Sequence, residues 1–487
     1  MRARVVAAVA ASLVTACTLG PNYRQPDVDT PKAFQYEAQD AANTADTEWW
    51  KQFGDPVLDA LIVEALANNR NVKIAAANVL QAAGIFTQTR SQLFPQLGYD
   101  ADARRARTSE AGLSPDVARL IPNPQTSYQT LLNATWEIDL WGRVQRLSEA
   151  ARANALASDD ARRGVILSLV ASVATDYIQL RGLDSQLEIA KKTLGTYAES
   201  VNLFELQFKY GQVSQLNVAQ AQSQYESAAV QIPAIESQIA QAETALSILV
   251  GRNPGPISRG KSVDDLALPT VPAGVPSSLL TRRPDLMQSE QTLIGANAQI
   301  GAAQALYFPT ISLTGAFGSS SPELSNLFKG PARIWSYAGQ LTGPIFTFGL
   351  VSGQVTQAEA GAEAALQNYR LSIQNAFGDV DNALIANAKL KEQIAAQQRL
   401  VAALSDYSRL ARMQYTGGYT SYTTVLQAEQ SLFPAELNLA SMRASMLASS
   451  ANIYKAMGGG WVVEADKLTT DGAVVPVTER MDRQPLF

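Results

Sequence analysis

The chain contains one long passage twice, and this duplication limits its fold more than any other feature. Each copy holds a helical pattern of unusual length, from Arg143 to about Phe208 and from about Leu350 to Met413. At 1.5 Å per residue the first would be roughly 100 Å long, a length used by coiled-coil-like or stacked helices. The landmarks around the two helices recur in one order. Leu93-Phe94-Pro95 ends a helix in the first half, as Tyr307-Phe308-Pro309 does in the second. Trp141-Gly142 and Phe348-Gly349 precede the long helices. Tyr210-Gly211 follows the first, and Tyr415 with Gly418 follows the second, allowing an insertion of one or two residues. A shorter helix returns from each turn, interrupted by Pro233 in one half and by Pro434 in the other. An ordered recurrence of this kind is an internal repeat of roughly 200 residues.

Between the helices the period changes from helical to alternating. Leu97, Tyr99, Ala101 and Ala103 alternate with Gly98, Asp100, Asp102 and Arg104. On the return run Tyr128, Thr130, Leu132, Ala134 and Trp136 share one face, and Gln129, Leu131, Asn133, Thr135 and Glu137 the other. The second half repeats this with Ile311, Leu313, Gly315 and Phe317, then Trp335, Tyr337, Gly339 and Leu341. Alternation predicts strands, and one apolar and one polar face suits a β-hairpin between lipid and an aqueous lumen. The expected segments are a helix at 56–94 and a hairpin at 95–137, then helices at 143–250 with a turn at 208–214. A linker at 251–281 joins the halves. A helix at 282–308, a hairpin at 309–345, and helices at 350–457 with a turn at 413–422 follow. The tail at 458–487 reads as weakly ordered.

The N-terminus places the chain outside the cytoplasm. Residues 1–16 combine Arg2 and Arg4 with a short apolar run and small residues, the pattern of an export signal. The chain's one cysteine, Cys17, stands at the cut, which predicts a lipoprotein whose diacylglycerol and acyl chains are carried on Cys17. Residues 17–55 then read as an extended tether rich in proline. With no histidine and a single cysteine, disulfides, zinc sites built from His or Cys, and imidazole- or thiol-based catalysis are excluded. No metal site, cofactor or catalytic residue is predicted. A net charge of -5 argues against nucleic acid as a partner.

Two strands per half give four per chain, too few to close a useful barrel, and open edges are not tolerated in hydrocarbon. Other copies must complete the sheet. The expected fold is a mixed α/β membrane protein: a homotrimer with a twelve-stranded β-barrel continued by a long α-helical barrel, nearly six-fold symmetric because of the two-fold sequence repeat. The competing expectation is a monomeric helical protein carrying two surface hairpins.

Four segments resemble motifs of the TolC-like outer membrane factors, the channels of tripartite efflux systems, and of their lipoprotein branch in particular. They are Cys17 with Gly20-Pro21-Asn22-Tyr23, and Trp49-Trp50 with Phe53 and Asp55-Pro56. They are also Arg282-Arg283-Pro284-Asp285-Leu286 with Glu290, Ala296, Ile300-Gly301 and Phe308-Pro309, and the two tyrosine–glycine turns. The resemblance implies an outer-membrane exit duct for drugs or other small toxic molecules. It would receive them from an inner-membrane transporter of the resistance-nodulation-division (RND) type through a periplasmic adaptor. Protein secretion of type I, metal efflux, and a structural coiled-coil lipoprotein are the alternatives. In the family the tip near the second turn closes the pore and meets the adaptor. The matching residues here are Tyr415, Gly418, Tyr419, Thr420 and Tyr422, with Tyr210 and Gly211 in the first turn. Thr420, Thr424 and Gln427 stand where the family pattern allows acids, so closure by aromatic and hydrogen-bonded contacts is expected. Arg282, Arg283, Pro284 and Asp285 are expected to fasten the linker.

Overall fold

The computed structural model describes residues 18–31, 33–36, 47–109, 111, 122–270, 276–459 and 461–469. The export signal, Cys17 and the end of the tail lie outside the described residues.

Two helices open the first half, α1 (Pro56–Asn68) and α2 (Arg70–Ser91). The sequence suggested one helix here. Asn69 divides it by leaving helical geometry and accepting from the amides of Asn71 and Val72 at 2.8 and 3.1 Å. This satisfies two donors that a helix start leaves free. Strands β1 (Gln96–Ala106) and β2 (Gln125–Ile138) follow, then α3 (Arg143–Lys209) and α4 (Gln215–Leu249). The second half has α5 (Pro284–Gln304), β3 (Thr310–Ser321), β4 (Arg333–Thr342), α6 (Leu350–Thr416) and α7 (Tyr422–Met457). A short helix, α8 (Trp461–Lys467), ends the described chain.

The strands form one antiparallel sheet in the order β1-β2-β3-β4. Paired residues fall on a common face, so the register decides what each face is made of. Tyr99, Leu132, Phe317 and Trp335 lie in one row, and Leu97, Ala134, Gly315 and Tyr337 in the next. The opposite face carries Asn133, Ala316 and Ser336 in line with Gly98, and Gln129 and Ser320 in line with Asp102. One face is therefore suited to lipid and the other to water. Both edge strands, β1 and β4, lack a second neighbour. Among the described residues no helix is long and apolar enough to cross a membrane.

The long helices α3 and α6 are each 67 residues. Near the sheet α3 packs along α2 and α5, and farther away along α4 and α7. α6 runs beside α5 and then α7. Each long helix thus has shorter helices stacked end to end beside it, forming a wall with several apolar clusters in place of a single core. Pro233 and Pro434 each lie inside one continuous helix and do not interrupt it. Both prolines are exposed, so water can take the carbonyls they leave unbonded.

The described start of the tail, 458–459 and 461–469, differs most from expectation. Trp461 is fully buried, edge-on to Trp49 at 5.9 Å and to Trp50 at 5.7 Å, while Trp49 stacks on Tyr454 at 5.1 Å. This aromatic cluster closes a belt midway along the wall, to which α1 and the middle of α3 contribute. Asp55 anchors the belt. Its carboxylate caps α1 through the Val57 amide and accepts from the Tyr177 hydroxyl at 2.8 Å and the Lys261 amide at 3.0 Å.

Candidate functional site at the helix tips

The sites singled out in the sequence lie at three levels of the wall. Highest is the tether. Gly20, at a φ of 88° that favours glycine, lies against the backbone of Gly301. Arg146 donates to the Leu19 carbonyl at 2.9 Å and to Asn22 Oδ1 at 2.8 Å, and the Tyr23 hydroxyl donates to Glu290 at 2.9 Å. The chain directly after Cys17 is therefore fixed where strands become helices.

At the middle level, Pro284 opens α5 and Arg283 sits just before it. The Arg283 guanidinium is buried. It donates to Asp285 at 2.7 Å, to Asp379 of α6 at 3.0 Å and to the Ala456 carbonyl of α7 at 2.9 Å. One side chain thus joins three helices to the end of the linker. Arg282 precedes it in a single helical turn.

The lowest level holds the two turns, which share one geometry. The Gly211 amide bonds back to Phe208 and that of Gln212 to Gln207; likewise Gly418 bonds to Tyr415 and Tyr419 to Gln414. Gly211 and Gly418 are both left-handed, at φ 71° and 74°. This paired pattern satisfies the last carbonyls of a helix and calls for glycine. It also corrects the sequence alignment of the turns. Arg143 and Leu350, Lys209 and Thr416, and Gln215 and Tyr422 are each 207 residues apart. The turns align without insertion: Gly211 matches Gly418, but Tyr210 matches Gly417, and Tyr415 matches Phe208.

Position decides what each tyrosine can do. Tyr422 is buried against Phe204 with ring centres 4.1 Å apart, and Tyr415 lies 5.4 Å from Tyr422. Both belong to an apolar cluster with Val201, Val425 and Leu426 that holds α3, α6 and α7 together. Burial pushes the Tyr422 phenol up to about 12. Tyr419 and Tyr210 project instead, 87% and 71% exposed. Thr420 and Thr424 share a hydroxyl bond of 2.9 Å.

The acid nearest the second turn was not singled out as a contact. Glu429 is buried and accepts from Arg412 Nε at 2.7 Å across α6 and α7. Burial raises its carboxyl above the usual range, and Arg412 opposes that rise. Its spacing of 17 residues from Arg412 gave no helical signal because a turn intervenes. Among the described residues no group of His, Cys, Asp or Glu could hold a metal ion.

A sheet that needs further copies to lose its edges, continued by helices too long for one core, makes a subunit of a transmembrane conduit. A family model described as outer membrane efflux protein matches residues 61–252 and 275–459, and the chain belongs to that family. It is an outer-membrane efflux channel in which three copies close a twelve-stranded barrel, with the helices forming the periplasmic tube. The toluene efflux pump outer membrane protein TtgC of Pseudomonas putida is 35% identical over 481 residues, covering 96% of this chain and 97% of the relative. The cation efflux system protein CusC of Escherichia coli is 35% identical over 454 residues, covering 92% and 96%. The crystal structure of the open state of the Neisseria gonorrhoeae MtrE outer membrane channel is 32% identical. It superposes with a TM-score of 0.82 over 91% of this chain and 99% of that one.

Proposed function

We propose that the channel discharges small, toxic organic molecules received from an inner-membrane RND-type transporter through a periplasmic adaptor, and that its tip closes without an acidic ring. The carrying observation is the absence of any carboxylate from 207–225 and from 413–428, while the next acid, Glu429, is buried and paired with Arg412. Rings of acidic side chains draw cations into a pore; this tip offers aromatic rings, hydroxyls and amides. Tyr419 and Tyr210 are the side chains free to meet their counterparts across the axis, with Thr420 beside them. Tyr415 and Tyr422 hold the helices that carry them. Of the two relatives named above, one is named for toluene and the other for cations. The lack of histidine, with only 7 methionines, leaves few soft ligands and favours organic cargo. On this reading a lipid on Cys17 orients the tether at the inner face of the membrane.

Planar-bilayer recording of the purified trimer tests the tip. Weak ion selectivity is expected, and strong cation selectivity abolished by neutralising one tip acid would sink the proposal. A deletion strain tests the cargo: it should accumulate dyes and antibiotics while exporting proteins normally. Normal accumulation with failed protein export would move the assignment to secretion.

A further inference from the structure

The repeat carries information about the seam between protomers, which a single chain does not contain. Phe94-Pro95 and Phe308-Pro309 are 214 residues apart, and Trp141-Gly142 and Phe348-Gly349 are 207 apart. The strands keep these spacings. Gln96 pairs with Thr135; moving the first by 214 and the second by 207 gives Thr310 and Thr342, which are themselves a pair. The two hairpins therefore have one register, and a contact between hairpins inside the chain has a counterpart between chains.

Inside the chain, β2 meets β3 with Ile138 opposite Ile311, Ala134 opposite Gly315 and Leu132 opposite Phe317. Beside that joint Trp141 stacks on Phe308 at 4.7 Å and donates its indole N–H to the Pro309 carbonyl at 2.7 Å. At the outer edge the matching groups are bare. Ile345 is fully exposed, and Phe348 is 89% exposed.

We propose that the barrel closes with β4 of one protomer against β1 of the next in the register of β2 on β3. Ile345 then lies opposite Leu97 of the partner subunit, Leu341 opposite Ala101 of the partner subunit, and Gly339 opposite Ala103 of the partner subunit. Phe348 stacks on Phe94 of the partner subunit as Trp141 stacks on Phe308. All these positions lie on the apolar face, so the register carries that face around the barrel unbroken; a one-residue slip would turn every side chain over. Tyr99 of the partner subunit falls over Gly343, which has no side chain to crowd its ring. β4 gains residues 343–345 as strand on docking. At the seam the indole donor of the internal joint is missing: Phe348 has no N–H to give the Pro95 carbonyl of the partner subunit. The inference rests on the three-copy barrel and is independent of cargo and gate.

Cysteine pairs test it. Ala101→Cys combined with Leu341→Cys should oxidise to a covalent trimer on a non-reducing gel. Ala101→Cys with Gly339→Cys, slipped by two residues on the same face, should stay monomeric after denaturation, because its Cα atoms would lie beyond about 7 Å. Single-cysteine variants control for pairing with Cys17. A slipped pair that cross-links as well as the aligned pair, or an aligned pair that fails in protein still running as a trimer, overturns the register. Should a cysteine pair prevent assembly, Phe348→Trp decides. It restores the indole donor and should raise the temperature of trimer dissociation, and the gain should vanish when Phe94→Ala is added. No rise, or a rise that survives Phe94→Ala, refutes the stacking.

Discussion

Replacing Arg283 with methionine keeps much of the buried stem and removes the guanidinium that joins α5, α6 and α7. Hydrogen bonds to charged groups contribute about 1.5–3 kcal/mol each when buried. Here the acids are half in water, with Asp285 and Asp379 side chains 49% and 56% exposed, so solvent replaces most of what they lose. Exposed pairs of that kind contribute about 1 kcal/mol or less. The Ala456 carbonyl is different. It lies in the last turn of α7, where no helical amide can reach it, and leaving it unbonded costs about 1–3 kcal/mol. The expected destabilisation is about 2–4 kcal/mol. Arg283→Lys keeps the charge but cannot reach three helices with one planar fork, and should fall between wild type and Arg283→Met. The assay is thermal unfolding of the detergent-solubilised trimer at one fixed scan rate, since unfolding of such assemblies is commonly irreversible. Hydrogen exchange at the end of α7 accompanies it. A midpoint for Arg283→Met equal to wild type, or for Arg283→Lys equal to Arg283→Met, would refute the reasoning.

Two further outcomes follow from buried or tethered groups. Burial pushes Asp160 of α3 up to about 6, with Arg163 at 3.5 Å opposing. The folded chain keeps a proton that the unfolded chain releases near 4. Stability should therefore fall as pH rises from about 4 to about 6, by about 2–3 kcal/mol, and then level off. Asp160→Asn should flatten that part of the stability–pH curve and leave the protein more stable at pH 7; an unchanged curve would show that the carboxyl titrates normally. At the N-terminus, Thr18 sits against Gly142, and the Leu19 amide donates to the Trp141 carbonyl at 3.3 Å. These protein contacts seat the tether just after Cys17. Cys17→Ala exported through a cleavable signal should still form trimers on native gels, and failure to assemble once delivered would give the lipid a larger part than these contacts imply.

What could be read in the sequence was whatever repeats at short range. Alternation located both hairpins because every second residue of a strand faces lipid. Helical period located the long helices because one stripe faces the wall. Asn69 was missed because the apolar stripe continues through it, and a cap is decided by one side chain whose amide also donates to the Leu249 carbonyl at 2.8 Å, far along the chain. Trp461 looked like part of a loose tail because the rings that bury it, Trp49 and Trp50, come from the other end of the sequence. The turns were misaligned because matching tyrosine with tyrosine ignored helix length: counting from Gly142 and Gly349 sets Gly417, not Tyr415, against Tyr210.

The two halves diverge where the six-fold arrangement has to become three-fold. The position of Arg146, which holds the tether through Leu19, Gly20 and Asn22, is taken in the second half by Gly353, with open space around it. Only one of each chain's two strand–helix junctions can therefore seat an N-terminus, giving three tethers for six junctions. At the same level Glu137 and Arg143 form a two-pronged ion pair at 2.9 and 3.0 Å. Their counterparts, 207 residues on, are Pro344 and Leu350. The first junction is fastened by charge within the chain. The second presents Ile345, Phe346, Phe348 and Leu350 to whatever lies beside it, and the closed barrel sets another copy of the same chain there. Duplication supplied the near symmetry, and these substitutions distinguish the joint inside a chain from the joint between chains.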